Sequence, residues 1–212
     1  QFVPASDFFR KEPLNCGVYG SIIGVSNIEK SREVYSDILG YDEVVYDETD
    51  SFDDLTGIPG GENKVRRVLL RHSEARQGAF SRMLGPSEIE LVQAVDYQPR
   101  KIYENRLWGD PGFIHLCFDI IGMDKMRNLC ESKGYPFTID SASDREVFDM
   151  GEAAGNFSYI EDPDGALIEF VETFKVPVVK KLGLSIDLKK RDPKKPLPNW
   201  MLKAMALNRV KD

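Results

Sequence analysis

Two stretches of the chain repeat one order of apolar and polar positions. The first opens with a strand-like run, Val18-Tyr19-Gly20-Ser21-Ile22-Ile23-Gly24-Val25. Ser26-Asn27-Ile28-Glu29 follows in the S-x-x-E form of a capping box, in which Ser26 and Glu29 satisfy free amides at a helix start. Ile28, Tyr35, Ile38 and Leu39 then recur at helical spacing, and Gly40 supplies the stop. Three strands are predicted at Glu43–Tyr46, Val65–Arg71 and Glu88–Val95, with an acidic, glycine-rich loop around Asp50–Asn63.

The second stretch opens with Phe113-Ile114-His115-Leu116-Cys117-Phe118-Asp119-Ile120. A helix follows with Met123, Met126, Leu129 and Cys130 on one face, and Gly134-Tyr135 ends it as Gly40-Tyr41 ends the first. Phe157–Ile160 and Ala166–Thr173 flank the turn Asp162-Pro163-Asp164-Gly165, where Pro163 presets the backbone and Gly165 takes the left-handed position. Each copy reads as βαβββ, giving an α+β fold of two four-stranded sheets side by side. The expected divisions are an N-terminal extension (1–16), a first module (17–111), a second module (112–173) and a C-terminal arm (174–212).

Charge separates that arm from the rest. From Phe174 onward there are 11 basic and 3 acidic side chains, a net of +8, whereas residues 1–173 carry 17 and 32, a net of -15. The arm, proline-rich before a helix-like run at Trp200–Leu207, is expected to lie along its own acidic body through opposite charge. The whole chain of 212 residues, at -7, is too acidic for general phosphate recognition. No run approaches the ~20 apolar residues of a membrane helix. Nucleic acid and membrane are therefore not expected partners.

Three cysteines, Cys16, Cys117 and Cys130, lack paired metal or redox spacing, so a disulfide framework is not expected and a reducing compartment is. The chain opens at Gln1 with no basic-then-apolar leader, which leaves a processed chain or a part of a longer one as readings. The expected location is cytoplasmic.

Strand alternation places the candidate chemistry. Ile114, Leu116, Phe118 and Ile120 form an apolar face, so His115 shares the opposite, mixed face with Cys117 and Asp119. Glu169 lies between Leu167 and Val171 on one face, where an unpaired carboxylate is costly. Glu90 holds the equivalent place in the first copy, beside Glu88 and Val92. One imidazole and two carboxylates in one concavity suit a divalent ion such as Zn, Ni, Mn, Fe or Co. The alternatives are a satisfied core histidine and two rim salt bridges. Arg66, Arg67, Arg71, Arg76 and Arg82 offer cations for an anionic substrate or pairs for nearby acids, and Asp149–Gly155 reads as a lid or a plain connection.

Several segments carry a resemblance: Val25-Ser26-Asn27-Ile28-Glu29-Lys30-Ser31, Tyr35-Ser36-Asp37-Ile38-Leu39-Gly40-Tyr41, Ile89-Glu90-Leu91, Ile114-His115-Leu116-Cys117-Phe118-Asp119, and Glu161-Asp162-Pro163-Asp164-Gly165-Ala166-Leu167-Ile168-Glu169-Phe170. Over roughly residues 17–173 the chain resembles the vicinal oxygen chelate superfamily of glyoxalases, extradiol dioxygenases and bleomycin-resistance proteins. The resemblance implies a glyoxalase-like open cavity between paired modules, homodimerisation, and metal ligands on the first and last strand of each module. Those places are Gly20, Glu90, His115 and Glu169. Glycine offers no ligand at the first, and with Gly24 on the same face it leaves room there.

Two functions follow from the resemblance. One is a metal-dependent lyase, isomerase or dioxygenase acting on a small substrate with vicinal oxygens, with His115, Glu90 and Glu169 on the ion and the glutamates, Glu169 foremost, moving a proton. The other is a non-catalytic, metal-free small-molecule-binding protein.

Overall fold

The computed structural model describes residues 18–101, 104–107, 109–142, 148–149 and 154–208. The expected N-terminal extension with Cys16, and residues 150–153 of the Asp149–Gly155 loop, lie outside the described residues.

The first module runs β1 (Gly20–Val25), α1 (Ile28–Tyr35), β2 (Glu43–Asp50), β3 (Val65–Arg71), a short helix α2 (Ser81–Leu84) and β4 (Glu88–Ala94). Its sheet has the order β1-β4-β3-β2, with β1 parallel to β4 and the other pairs antiparallel. The second runs β5 (His115–Asp119), α3 (Met123–Ser132), β6 (Ile139–Asp140), β7 (Phe148–Asp149), β8 (Ala154–Glu161) and β9 (Leu167–Val179). Here β5 lies parallel to β9, β9 pairs with β8, and both short strands pair with β8. The two sheets therefore repeat one topology, as the duplicated pattern predicts.

Local chemistry sets the element ends. The start of α1 is capped by Asn27, whose Oδ1 accepts from the Lys30 amide at 2.8 Å, and not by the expected Ser26. Ser26 instead donates its own N–H to Asp164 Oδ2 at 2.8 Å, across the module boundary, and Glu29 is drawn off to Arg66. In the β8–β9 turn, Gly165 has φ +84° and donates to the Asp162 carbonyl at 3.0 Å. Asp162 Oδ1 accepts from the amides of Asp164 and Ala166, and Oδ2 from the Tyr35 hydroxyl at 2.9 Å. The DPDG sequence thus forms its turn and also fastens it to α1 of the other module.

One apolar cluster unites the modules. Ile28, Val34 and Tyr35 of α1 join Ile23, Val68, Leu70, Ile89 and Leu91 of the first sheet with Ile160, Ile168 and Phe170 of the second, beside Met123 and Cys130 of α3. Buried apolar side chains of this size contribute about 1.5–3 kcal/mol each. Both Cys117 and Cys130 are free thiols.

The chain beyond Phe174 docks through strand pairing and apolar packing. Strand β9 continues to Val179 and pairs antiparallel with β10 (Leu184–Asp187), which extends the second sheet. A second apolar cluster then joins Phe80 of the first module to Leu197 and to Leu202 of the last helix, α4 (Asn199–Met205). The Leu197 amide donates to the Ala79 carbonyl at 2.8 Å. Among the described residues, no helix is long and apolar enough to cross a membrane.

Candidate functional site

Register makes the comparison between modules quantitative. Gly20 is paired with Glu88 and Ile22 with Glu90, while His115 is paired with Leu167 and Cys117 with Glu169. Gly20 therefore stands to Glu90 as His115 stands to Glu169, as the resemblance implies. On the third strand of each module, Leu69 lies opposite Glu90 and Tyr159 opposite Glu169. Two residues further along, Arg67 lies opposite Val92 and Phe157 opposite Val171.

The structure brings His115 and Glu169 together and gives Glu90 other partners. His115 Nε2 is 3.0 Å from Glu169 Oε2, and the Tyr159 hydroxyl donates to Oε1 at 2.8 Å. The imidazole meets the Tyr159 ring edge-on at 5.6 Å, which fixes its orientation. Cys117 also reaches Glu169. Desolvation of the sulfur first, then the hydrogen bond and charge of Glu169, push its thiol up to about 12, so it stays protonated at neutral pH. Burial first and Glu169 second likewise push the Tyr159 phenol well above its usual value. One carboxylate thus gathers imidazole, phenol and thiol, three groups able to hold or pass a proton, with side chains of His115 and Glu169 still 25% and 16% exposed.

Glu90 is enclosed instead. The Arg67 guanidinium grips both of its oxygens, through Nε on Oε1 and through Nη2 on Oε2 at 3.0 Å, and the Tyr46 hydroxyl donates to Oε1 at 2.5 Å. Arg67 Nη1 also holds Asp54 through both carboxylate oxygens at 2.7 and 2.8 Å, and the guanidinium stacks 4.8 Å from the Phe52 ring centre. Its hydrogen bonds to Glu90 keep Arg67 charged, and Arg67 in turn holds Asp54 below the usual carboxylate range. With Arg67 and Glu90 only 10% and 7% exposed, this is a buried, bidentate pair, the geometry in which arginine and carboxylate are hardest to separate.

The proposed metal donors do not fit a three-ligand centre. Both oxygens of Glu90 are committed to Arg67, and a Cβ on Gly20 would lie 2.1 Å from the Glu88 carbonyl oxygen. Gly20 therefore marks a close approach of two backbones, and the room expected there exists only at Gly24, where an added Cβ would meet nothing within 4 Å. Among the described residues, no group of three or more His, Cys, Asp or Glu is arranged to hold an ion. The other arginines of the first sheet are taken up by acids, Arg66 by Asp47 and Glu29 and Arg71 by Glu43, which is the solvated-edge alternative.

The second module also offers space. A cavity of about 430 Å³ is lined by Lys101, Arg106, Phe113, Ile114, Glu161 and Leu167, among others, and Leu167 is the register partner of His115. That volume suits a small organic molecule. Tyr46 and Tyr159 were absent from the sequence-derived set, and Arg67 stood in it only among cations for a substrate or pairs for nearby acids, because cross-strand neighbours depend on register. For Tyr159 a signal existed: it sits two residues before Glu161 in a strand read as pairing with that of Glu169.

Comparison with known proteins agrees with the topology. A glyoxalase family protein from Bacillus cereus superposes with a TM-score of 0.54 at 15% identity, covering 77% of this chain and 97% of its own, and so shares the fold. A glyoxalase family protein from Enterococcus faecalis gives 0.48 at 19% identity, over 74% and 97% of the two chains. The trypanothione-dependent glyoxalase I of Leishmania major gives 0.43 at 16%, over 74% and 86%. No curated protein sequence matches significantly. The family model of the glyoxalase/bleomycin resistance protein/dioxygenase superfamily, however, matches residues 22–153, and with more than half of its length so matched the chain belongs to that superfamily.

Proposed function

We propose that the protein binds a small, oxygen-bearing molecule over the concave face of its second module without a metal ion, with Glu169 as the proton-accepting anchor. The observation that carries this reading is the gathering of His115, Tyr159 and Cys117 on Glu169 while Glu90 is committed to Arg67. A ligand hydroxyl donates to Glu169, and a neighbouring ligand oxygen accepts from the Tyr159 phenol or the imidazole. Two adjacent oxygens on the ligand match the two sides of this cluster, and the cavity reaching Leu167 holds the remainder.

Ligand-induced stabilisation of chelator-treated protein tests the reading, with α-hydroxy ketones and catechol as probes. At 100-fold excess over Kd a ligand adds about 2.7 kcal/mol, or about 5–10 °C in Tm for a chain of this size. The expected result is a shift with at least one probe that disappears in Glu169→Gln and survives in Glu90→Gln wherever that variant folds. Absence of any shift, or a shift indifferent to Glu169, overturns the proposal.

A further inference from the structure

Outside this site, the seam between the second module and the C-terminal segment holds a second cleft with unspent chemistry. Strand β9 is bordered along one edge by β5, opposite Leu167–Val171, and then by β10, opposite Lys175–Val179. Neither strand covers Glu172–Phe174, and a cleft of about 240 Å³ opens there. Its apolar walls come from three parts of the chain: Ala79 of the first module, Ile120 and Ile121 of the second, and Leu188 and Pro193 beyond β10.

The charged groups of the cleft are unequally satisfied. Glu172 accepts from the amides of Gly122 and Met123 at 2.7 and 3.1 Å, at the start of α3. Asp192 accepts from the Lys194 amide at 3.0 Å and lies 3.9 Å from Lys195 Nζ, and Asp119 takes a hydrogen bond from Thr173. Lys189 Nζ sits 3.7 Å from the centre of the Phe174 ring. Arg191 differs from all of these. Its Nε is enclosed without an acceptor, no carboxylate of the described residues pairs with its guanidinium, and its side chain lines the cleft. A guanidinium whose charge has no carboxylate partner presents a planar fork suited to one.

From this accounting we infer that the cleft is a second small-molecule site, which takes a short branched-chain carboxylate with its carboxylate on Arg191 and its alkyl group against Ile120, Ile121 and Leu188. Glu172 and Asp192 already accept from backbone amides, and burial with the charge of Glu172 favours the neutral form of Asp119, so the unpaired charge of the cleft is that of Arg191. The walls ask for an apolar body, and the volume, below that of typical drug-sized sites, asks for a small one. This site does not depend on the reading of the Glu169 cluster.

Calorimetric titration with 4-methylpentanoate tests the inference, with sulfate and 4-methylpentanol as comparison probes. The expected result is saturable binding of one 4-methylpentanoate per chain, weakened at least tenfold in Arg191→Gln, weakened likewise by the bulk and charge of Ile121→Glu, and unchanged in Glu169→Gln. Circular dichroism and Tm establish that the two cleft variants fold. No binding, equal binding to Arg191→Gln, or sulfate binding as tightly as the carboxylate overturns the assignment. Loss of binding in Glu169→Gln with retention in Arg191→Gln overturns it too, by placing the ligand in the other site.

Discussion

Glu90 and Glu169 occupy the same place in two copies of one topology and live in opposite surroundings. The first is clamped by a guanidinium that is itself anchored to Asp54 and stacked on Phe52. The second is ringed by an imidazole, a phenol and a thiol, and remains partly open. Duplication supplies two equivalent carboxylates, and two third-strand positions decide what each becomes: Leu69 and Arg67 in the first module, Tyr159 and Phe157 in the second. Where arginine stands, the acid becomes part of the scaffold. Where the neighbours are aromatic and carry the phenol, the acid stays partly open.

Breaking the clamp should have the largest effect. Arg67→Ala leaves Glu90 buried without its partner and is expected to cost about 3–5 kcal/mol in denaturant unfolding, whereas Arg67→Met combined with Glu90→Leu should recover most of that loss. Recovery fails to appear if the pair holds the fold in some way other than mutual neutralisation.

Next in size is a pH effect at the far end of the second module's face. Burial first, and the charge of Glu172 second, push the Asp119 carboxyl up to about 6 from 3.8. Because the folded state binds this proton more tightly than the unfolded one, Asp119 favours folding at low pH, and that contribution is lost as pH rises through about 6. Asp119→Asn should therefore stabilise the protein above pH 6 by about 2–3 kcal/mol and flatten the slope of stability between pH 4 and 7, measured by urea unfolding across that range. A slope unchanged by the substitution removes Asp119 as its source.

Smaller still is the link between modules. Tyr35→Phe removes the hydroxyl that reaches the buried Asp162 and should cost about 1–2 kcal/mol in the same assay. Glu169→Gln should have the least effect on stability, about 1 kcal/mol or less, because an amide oxygen still accepts from Tyr159. A larger loss there would make the two carboxylates alike and erase the contrast between them.

Much of the fold was readable where information is local. Val65–Arg71 forms the strand expected of its β-branched and apolar run, and Gly40, Gly134 and Gly165 each adopt the positive φ that their turns require. Long-range pairing escaped such a reading. Strand β9 runs six residues beyond the expected Thr173 because β10, from the basic tail, provides a partner for its edge. The cap of α1 moved from Ser26 to Asn27 because Asp164, more than a hundred positions away, claims the Ser26 amide. In the site, alternation puts His115 on the mixed face of its strand, and the parallel register of β5 on β9 sets it beside Glu169. The capture of Glu90 by Arg67 depends on the antiparallel register of β3 on β4, which no motif announces.

Metal content measures this asymmetry most directly. Protein purified without chelator, equilibrated with Zn, Mn, Ni and Fe and then desalted, should retain far less than one ion per chain by elemental analysis, with Glu169→Gln, His115→Ala and Glu90→Gln all at the same background. About one ion per chain, lost in all three variants, would contradict the account by showing that Glu90 leaves Arg67 to complete a shared centre.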